Sequence, residues 1–187
     1  MILPNAILFP QAMLPLYIFE PRYRKMLADV LHSHRMFSVA MRKPGRSRET
    51  PVTGAGLGLI RASGANRDGT SRLILQGIAR VELAETVRYK PYRVHRIRPV
   101  PAVGHDSVVV DALAAKVREL VAERLKQGFF PTLPMMPQTS TSDAAKLHDV
   151  VARAMSRFAE HLGSLDDPEQ AADLVTGALL ANPADRQ

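Results

Sequence analysis

The sequence predicts an α+β protein in which a small closed β-barrel precedes a helical bundle, and three observations carry this prediction. Short apolar stretches rich in strand formers, separated by turn signals and interrupted by one helix, fill the first half. Long segments with helical periodicity fill the second half. The charge balance changes as well, from 17 Lys+Arg against 6 Asp+Glu in residues 1–100 to 8 against 12 in residues 101–187. We therefore expect a β-barrel domain at residues 1–101 and a helical domain at residues 102–187.

The first strand and the first helix are predicted close to the N-terminus. Residues 13–19, MLPLYIF, are short, apolar and rich in strand formers, which is typical of a buried strand. A helix follows from Pro21, because proline at a first helical position gives up only an amide that lacks a helical partner. Its apolar residues recur at helical spacing and predict one buried face; they are Tyr23, Met26, Leu27, Val30 and Leu31.

Turn residues divide the rest of the first half. A strand is predicted at residues 37–41, and residues 43–56 predict a mobile loop because they combine Pro, Gly, Ser, Thr and charge. Another strand is expected at residues 58–62, and the pair Asp68-Gly69 predicts a hairpin turn, since glycine accepts a positive φ at no steric cost.

The last strands of the first half lie between Leu73 and Ile97. Residues 73–86 form two strand-like halves around Gly77, which predicts a bulge or a sharp bend. Residues 92–97 alternate in the manner of a further strand. Short strands with one intervening helix favour a closed barrel over a parallel sheet.

Three helices are predicted in the second half. The first spans residues 106–127 and stops at Gly128, and the second spans residues 143–162, capped by Ser142 and closed by Gly163. The third begins at Asp167, an N-cap followed by proline and, three residues on, by Gln170, and it ends near Asn182-Pro183.

Composition narrows the classes of protein that the chain can be. Cysteine is absent, which excludes disulfides, thiolate metal sites and cysteine nucleophiles and favours the reducing cytosol. Prolines interrupt the apolar N-terminus, which lacks about 18 continuous apolar residues, so neither a signal peptide nor a membrane span is expected.

No catalytic motif stands out. The sequence has neither a G-x-x-x-x-G-K-[ST] phosphate loop nor a G-x-S-x-G nucleophile motif. Gly54, Gly56 and Gly58 precede a strand-like segment rather than a helix, so a bend in a sheet is favoured over phosphate binding. His32 and His34 form a close pair without further ligands nearby in sequence. We therefore predict a non-enzymatic protein with no cofactor and no metal.

Several motifs together resemble a known family. They are LPL at residues 14–16, IFEPRYR at 18–24, DGT at 68–70, LILQGIAR at 73–80, PY at 91–92, LDDP at 165–168 and ADLV at 172–175. In sequence and spacing they are similar to the substrate-recognition domain of Lon ATP-dependent proteases. The resemblance covers nearly the whole chain and is strongest in residues 3–24.

The resemblance implies a PUA-like β-barrel followed by a helical subdomain, which in those proteases holds unfolded or tagged substrate before an ATPase threads it. The ATPase and Ser/Lys protease modules are missing from the sequence, so neither ATP hydrolysis nor peptide cleavage is implied. The starting Met favours a stand-alone relative over a fragment. Gln11 stands where the family usually has glycine after Phe-Pro.

The first hypothesis for function is a binding module that captures unfolded or extended polypeptide, as an adaptor to a separate protease, ATPase or chaperone. Its expected surface is the barrel side near the 43–56 loop and the cleft facing the helices. Soft apolar contacts would come from a proline-rich connection, from Phe129, Phe130, Met135 and Met136. The alternative is that these four side chains cover the core of the bundle.

The family motif itself predicts a structural corner. Its residues are Phe19, Glu20, Pro21, Arg22, Tyr23 and Arg24. Tyr23 and Phe19 are expected to anchor the helix against the barrel, and Glu20 with Arg22 or Arg24 to tie strand to loop. A binding role for the arginines is the alternative.

The second hypothesis for function is RNA binding, because the first half is basic and PUA-like folds elsewhere bind RNA. The densest cationic stretch consists of Arg88, Lys90, Arg93, Arg96 and Arg98, with Tyr89 and Tyr92 available for base stacking. In a strand, Arg96 and Arg98 would share one face while Arg93 points the other way, which divides the charge between two faces.

Overall fold

The computed structural model describes residues 1–45, 49–101, 108–127 and 144–179. The chain divides into two compact units, Met1–Ala102 and Val103–Gln187. We describe each unit by itself. The architecture is α+β: among the described residues, the strands lie in the first unit and most helices in the second.

In residues 1–45 and 49–101 the first unit forms one sheet and one helix. In chain order its elements are β1 (Ile2–Leu3), β2 (Met13–Ile18), α1 (Pro21–Leu31), β3 (Met36–Arg42), β4 (Pro51–Ala65), β5 (Ser71–Arg88) and β6 (Val94–Pro99). The strands pair in the order β1-β3-β4-β5-β2, and β6 also pairs with β5. Only the β1–β3 pair is parallel among these pairings.

The strand pairing leaves the sheet open. Within the described ranges no pairing joins β1 to β2, so the closed barrel stays a prediction. β4 occupies one edge of β5, while β2 and β6 share the other edge: β2 pairs with residues 71–76 and β6 with residues 81–88. β2 is thus an outer strand of the sheet.

β4 begins earlier than the sequence predicts. The expectation of a loop over residues 43–56 is wrong in its second part, because Pro51–Gly56 belong to this strand. Gly56 misleads here, since it serves close packing and not a turn. A Cβ atom on Gly56 would lie 1.9 Å from the carbonyl oxygen of Leu8, so only glycine lets that segment approach the strand.

The predicted bulge and hairpin turn are both confirmed. Gly58 pairs with Gly77 while Leu57 pairs with Ala79, which leaves Ile78 as the extra residue of β5. In the β4–β5 turn Gly69 has φ +80°, and the amide of Asn66 donates a 2.8 Å hydrogen bond to the Thr70 carbonyl.

The core of the first unit lies between α1 and the inner face of the sheet. The helix contributes the face predicted from its periodicity, with Tyr23, Met26, Leu27 and Val30 buried. The sheet and the segment before β2 contribute further buried side chains: Leu8, Ile18, Phe37, Val39, Ile60, Leu73 and Leu75.

The second unit contains α2 (Val108–Lys126), α3 (Ala144–Ser164) and α4 (Pro168–Leu179). Val121, Leu162 and Ala171 form its buried cluster. The predicted N-cap is present, because Oδ1 of Asp167 accepts a 2.9 Å hydrogen bond from the Glu169 amide. α3 runs on through Ser164, so Gly163 does not close it, and the predicted cap Ser142 lies outside the described residues.

Candidate functional site

The outward face of β2 carries exposed apolar side chains. Ile18 is only 2% exposed, and because side chains alternate along a strand, its neighbours point away from the core. Tyr17 and Phe19 are 51% and 59% exposed, and Met13 is 56% exposed. The rings of Tyr17 and Phe19 stack with centroids 5.9 Å apart, so they present one continuous aromatic surface.

The neighbouring strands extend this surface in rows. Pro15 lies opposite Ile74 of β5, which in turn lies beside Ala62 of β4. Ile74 is exposed, whereas its neighbours Leu73 and Leu75 are buried, so it belongs to the outward face. We name this surface the β2 face and define it by Met13, Pro15, Tyr17, Phe19 and Ile74.

Polar groups border the β2 face at both ends. At one end Nε of Arg61 donates a 2.5 Å hydrogen bond to Oε1 of Gln76, the residue opposite Met13. The side-chain Nε2 of Gln76 donates a 3.4 Å hydrogen bond to Oε1 of Gln11. At the other end Arg72 lies opposite Tyr17. The arrangement can therefore bind apolar groups and adjacent polar ones.

The expectation that Phe19 anchors α1 is wrong. Alternation along the strand decides its position: Ile18 enters the core, so Phe19 faces solvent. Tyr23 is buried as expected, and its hydroxyl accepts a 3.1 Å hydrogen bond from the Ile2 amide and donates one of 3.3 Å to the Ile2 carbonyl. Burial also raises the pKa of Tyr23.

Arg22 connects the start of α1 to the segment before β4. Its guanidinium pairs with Glu20 at 2.7 Å and donates through both terminal nitrogens to Glu49, with Nη2 at 2.9 Å from Oε1. The hydrogen bonds from Arg22 hold the pKa of the Glu49 carboxyl below its ordinary range. Arg22 also lies over the Tyr23 ring, 4.5 Å from its centroid. Arg22 therefore holds the start of α1 to the segment before β4.

The remaining motif residues, Pro21 and Arg24, also have fixed positions. Pro21 is the first residue of α1, after Glu20, whose carbonyl accepts the amide hydrogens of Tyr23 and Arg24. The Arg24 guanidinium reaches the β4–β5 turn, where a Cβ atom on Gly69 would lie 1.9 Å from Nη2. Arg24 therefore packs against the turn.

The cationic stretch considered for RNA is largely engaged within the protein. Arg96 pairs with Glu85 and Arg98 with Glu82, each at 3.5 Å. The Arg88 guanidinium lies 5.0 Å from the centre of the Tyr92 ring, and that of Arg93 lies 5.6 Å from the centre of the Tyr89 ring. Each tyrosine thus has an arginine over one face of its ring, so that face is not open to a stacking base. Lys90 precedes a cis peptide bond to Pro91.

The other predicted contacts cannot be placed. Phe129, Phe130, Met135 and Met136 lie outside the described residues. Across the parts of the chain that the structure describes, no three His, Asp or Glu residues are grouped in a way that could hold a metal ion. In the same ranges, no helix combines the length and apolar character needed to cross a membrane.

Sequence reasoning missed the β2 face because MLPLYIF looks uniformly apolar, which is typical of a strand buried on both sides. One signal could have revealed it. Pro15 lies in the middle of the strand, and proline inside a strand indicates an outer position in the sheet. In an antiparallel sheet one face commonly packs on the core while the other meets solvent, so alternate residues of such a run are exposed.

The comparisons with known proteins decide the family. A family model described as the ATP-dependent protease La (LON) substrate-binding domain matches residues 1–187. The chain belongs to this family. The resemblance of the IFEPRYR motif and its companions to Lon proteases is thereby confirmed, and a substrate-binding domain accounts for the matched residues.

Whole Lon proteases are among the relatives. Lon protease 2 of Sorangium cellulosum is 26% identical over 176 residues, which cover 90% of this chain and 21% of that protein. Lon protease of Trichlorobacter lovleyi is 25% identical over 174 residues, covering 88% and 21%. The chain spans about a fifth of the length of these curated relatives.

Solved Lon domains share the fold. The N-terminal domain of Mycobacterium avium complex Lon protease has a TM-score of 0.65 at 16% identity, covering 100% of this chain and 86% of that one. A Lon N-terminal domain protein from Xanthomonas campestris has a TM-score of 0.50 at 19% identity, covering 96% and 97%.

Proposed function

We propose that this substrate-binding domain holds unfolded or extended polypeptide, with the β2 face as its contact surface. The observation that carries the proposal is the group of exposed apolar side chains on an outer strand and directly after it: Met13, Tyr17 and Phe19. Exposed apolar groups in one continuous patch mark interaction sites more often than isolated ones do. Membership of the Lon substrate-binding family supports the same function.

The spacing of the β2 face suits an extended chain. Side chains on one side of a strand recur about every 7 Å, since each residue advances about 3.3 Å. A bound segment in extended conformation repeats its own side chains at the same interval, so its apolar residues can contact successive rows of the face. A folded protein keeps such residues in its core, which gives a reason for preferring unfolded chains.

The wider role that we propose is delivery of captured polypeptide to a separate protease, ATPase or chaperone. The relatives that match are Lon proteases, and this chain corresponds to about a fifth of their length. The domain itself contributes binding and no catalysis. The PUA-like barrel and the cytosolic location predicted from the sequence belong to the same proposal.

Fluorescence anisotropy with a labelled, permanently unfolded polypeptide tests the proposed function. The variant Tyr17→Ser with Phe19→Ser should raise Kd by at least about tenfold, because burial of each aromatic ring contributes roughly 1–2 kcal/mol. Val87→Ser is the matched control, since Val87 is also exposed but lies near the far end of β5. Equal Kd values for the double variant and the wild type would reject the β2 face as the contact surface.

The sequence-predicted contacts and the RNA hypothesis can be tested in the same assay. Met135→Ser with Met136→Ser should weaken polypeptide binding if these side chains contribute, and an unchanged Kd would remove them. The family match does not favour RNA binding. A labelled RNA whose affinity falls steeply between about 50 and 200 mM salt, with no binding of polypeptide, would favour it instead.

A further inference from the structure

We propose that the β2 face selects extended segments in which acidic side chains alternate with apolar ones on the same side of the segment. This inference rests on the proposed function and specifies the class of polypeptide bound. It is carried by the charges that border the face and by one of them, Arg72, which has no partner among the described residues.

The charged residues on this side of the sheet are all positive. The strand segments that form the β2 face and its borders, residues 13–19, 61–65 and 72–78, contain two arginines and no Asp or Glu. Glu20 follows Phe19 directly but pairs with Arg22 at 2.7 Å. The face therefore offers cations without carboxylates of its own.

Asp68, in the turn that joins β4 to β5, is also engaged locally. Its Oδ1 accepts hydrogen bonds from the amide and the hydroxyl of Thr70, at 2.9 and 2.6 Å. These hydrogen bonds lower the pKa of the Asp68 carboxyl. The nearest carboxylate in sequence to Arg72 is thus held in its own turn.

Arg72 differs in this respect from three other arginines of the unit. Arg22, Arg96 and Arg98 each pair with a glutamate. Among the described residues, by contrast, Arg72 has neither an ion pair nor a side-chain hydrogen bond, and its side chain is exposed. On β4 its neighbour is Gly64, which has no side chain, and on β2 it is Tyr17.

The position of Arg72 predicts the spacing of the bound segment. Arg72 and Ile74 are two residues apart on β5 and point the same way, about 7 Å apart. An extended ligand that places an apolar side chain over Ile74 brings the residue two positions along over Arg72. A carboxylate there gains an ion pair, whereas Lys or Arg is repelled. The pattern is therefore apolar-x-acidic.

Three labelled peptides test this selectivity. Each has Ser at even positions and Leu alternating with a test residue at odd positions, and the test residue is Glu, Gln or Lys. At about 50 mM salt the wild-type chain should bind the Glu peptide about fivefold more tightly than the Gln peptide, the factor expected for one exposed ion pair. The Lys peptide should bind most weakly. The Glu preference should shrink at about 200 mM salt.

Substitutions at Arg72 assign the preference to this residue. Arg72→Gln should abolish the Glu preference, so that the Glu and Gln peptides bind with equal affinity, and Arg72→Glu should invert the preference in favour of Lys. Arg96→Gln, another exposed strand arginine, is the control and should keep the wild-type ranking. Arg72 is exposed, so both of its variants should fold, which a thermal melt verifies.

The outcomes separate the two proposals. If the Gln peptide binds through Tyr17 and Phe19 but the Glu peptide binds no better, the selectivity is refuted and the proposed function stands. Retention of the Glu preference in Arg72→Gln also refutes it. If no peptide and no unfolded polypeptide binds, both proposals fail together. An RNA that binds the wild-type chain but not Arg72→Gln would then identify the alternative ligand.

Discussion

The hydroxyl of Tyr92 donates a 2.8 Å hydrogen bond to Oδ2 of Asp29 and so ties the β5–β6 connection to α1. The other carboxylate oxygen of Asp29 lies 2.6 Å from the Lys25 ammonium. Both partners lower the pKa of the Asp29 carboxyl, Lys25 more than Tyr92. The Asp29 side chain thus joins α1 to the β5–β6 connection, although Asp29 and Tyr92 are 63 residues apart in sequence.

We expect Tyr92→Phe to lower the melting temperature by a few degrees, because it removes the hydroxyl that donates to a charged acceptor while keeping the ring. Tyr89→Phe is the control, since Tyr89 is exposed. Thermal unfolding followed by circular dichroism measures both. A melting temperature for Tyr92→Phe equal to that of Tyr89→Phe would show that the link contributes nothing.

The Arg22–Glu49 pair predicts a dependence of stability on pH. The pKa of Glu49 lies below its ordinary value of 4.5, chiefly because Arg22 hydrogen-bonds to the carboxylate. A carboxyl group with a lowered folded-state pKa stabilises the fold above its ordinary value and loses this contribution as pH falls through the folded-state value. The difference in unfolding free energy between wild type and Glu49→Gln should therefore be largest near neutral pH and shrink below pH 4.5.

Urea unfolding at several pH values between about 3 and 7 measures this difference. Glu85→Gln serves as the control because Glu85 is exposed and lies 3.5 Å from Arg96. A gap between wild type and Glu49→Gln that stays constant across the range would contradict the assigned role of Arg22.

The approach of Leu8 to β4 predicts that alanine substitutions at two neighbouring glycines differ greatly in the stability they remove. Gly56→Ala would place a methyl group 1.9 Å from the Leu8 carbonyl oxygen, so the backbone must move, and we expect a loss of about 2–4 kcal/mol. Gly54→Ala, two residues earlier, meets nothing within 4 Å and should change stability by less than about 1 kcal/mol. Equal losses in denaturant unfolding would disprove the packing argument.

The buried hydroxyl of Tyr23 predicts a further loss of stability. Tyr23→Phe leaves the amide of Ile2 without its 3.1 Å acceptor, and an unpaired buried donor costs about 1–3 kcal/mol. Tyr17→Phe removes an exposed hydroxyl and should be nearly neutral. The unfolding midpoints of the two variants, measured in parallel, decide whether the hydrogen bond to Ile2 stabilises the fold.

Local signals in the sequence predicted local structure well. α1 follows from Pro21 and from the spacing of Tyr23, Met26 and Val30, and the hairpin turn follows from Gly69. Each of these depends on a few consecutive residues, whose φ preferences and periodicity are visible without knowing the rest of the fold.

Features that depend on distant residues were not predictable in the same way. Gly56 suggested a loop because nothing in its neighbourhood reveals that Leu8 approaches it. The exposure of Phe19 depends on which face of the sheet the core covers, and the pairing of β2 with β5, more than 50 residues later, decides this. Arg72 likewise becomes part of a candidate site only through its register with Tyr17.

The bulge at Gly77 and Ile78 separates the partners on one edge of β5. Before it the strand pairs with β2, and after it with β6, while β4 pairs with residues 71–82 on the opposite edge. β2 can therefore detach locally without breaking a hydrogen bond of β6. In hydrogen exchange, the amides of β2 and β6 would then open independently of each other. A bound polypeptide would slow the exchange of β2 alone.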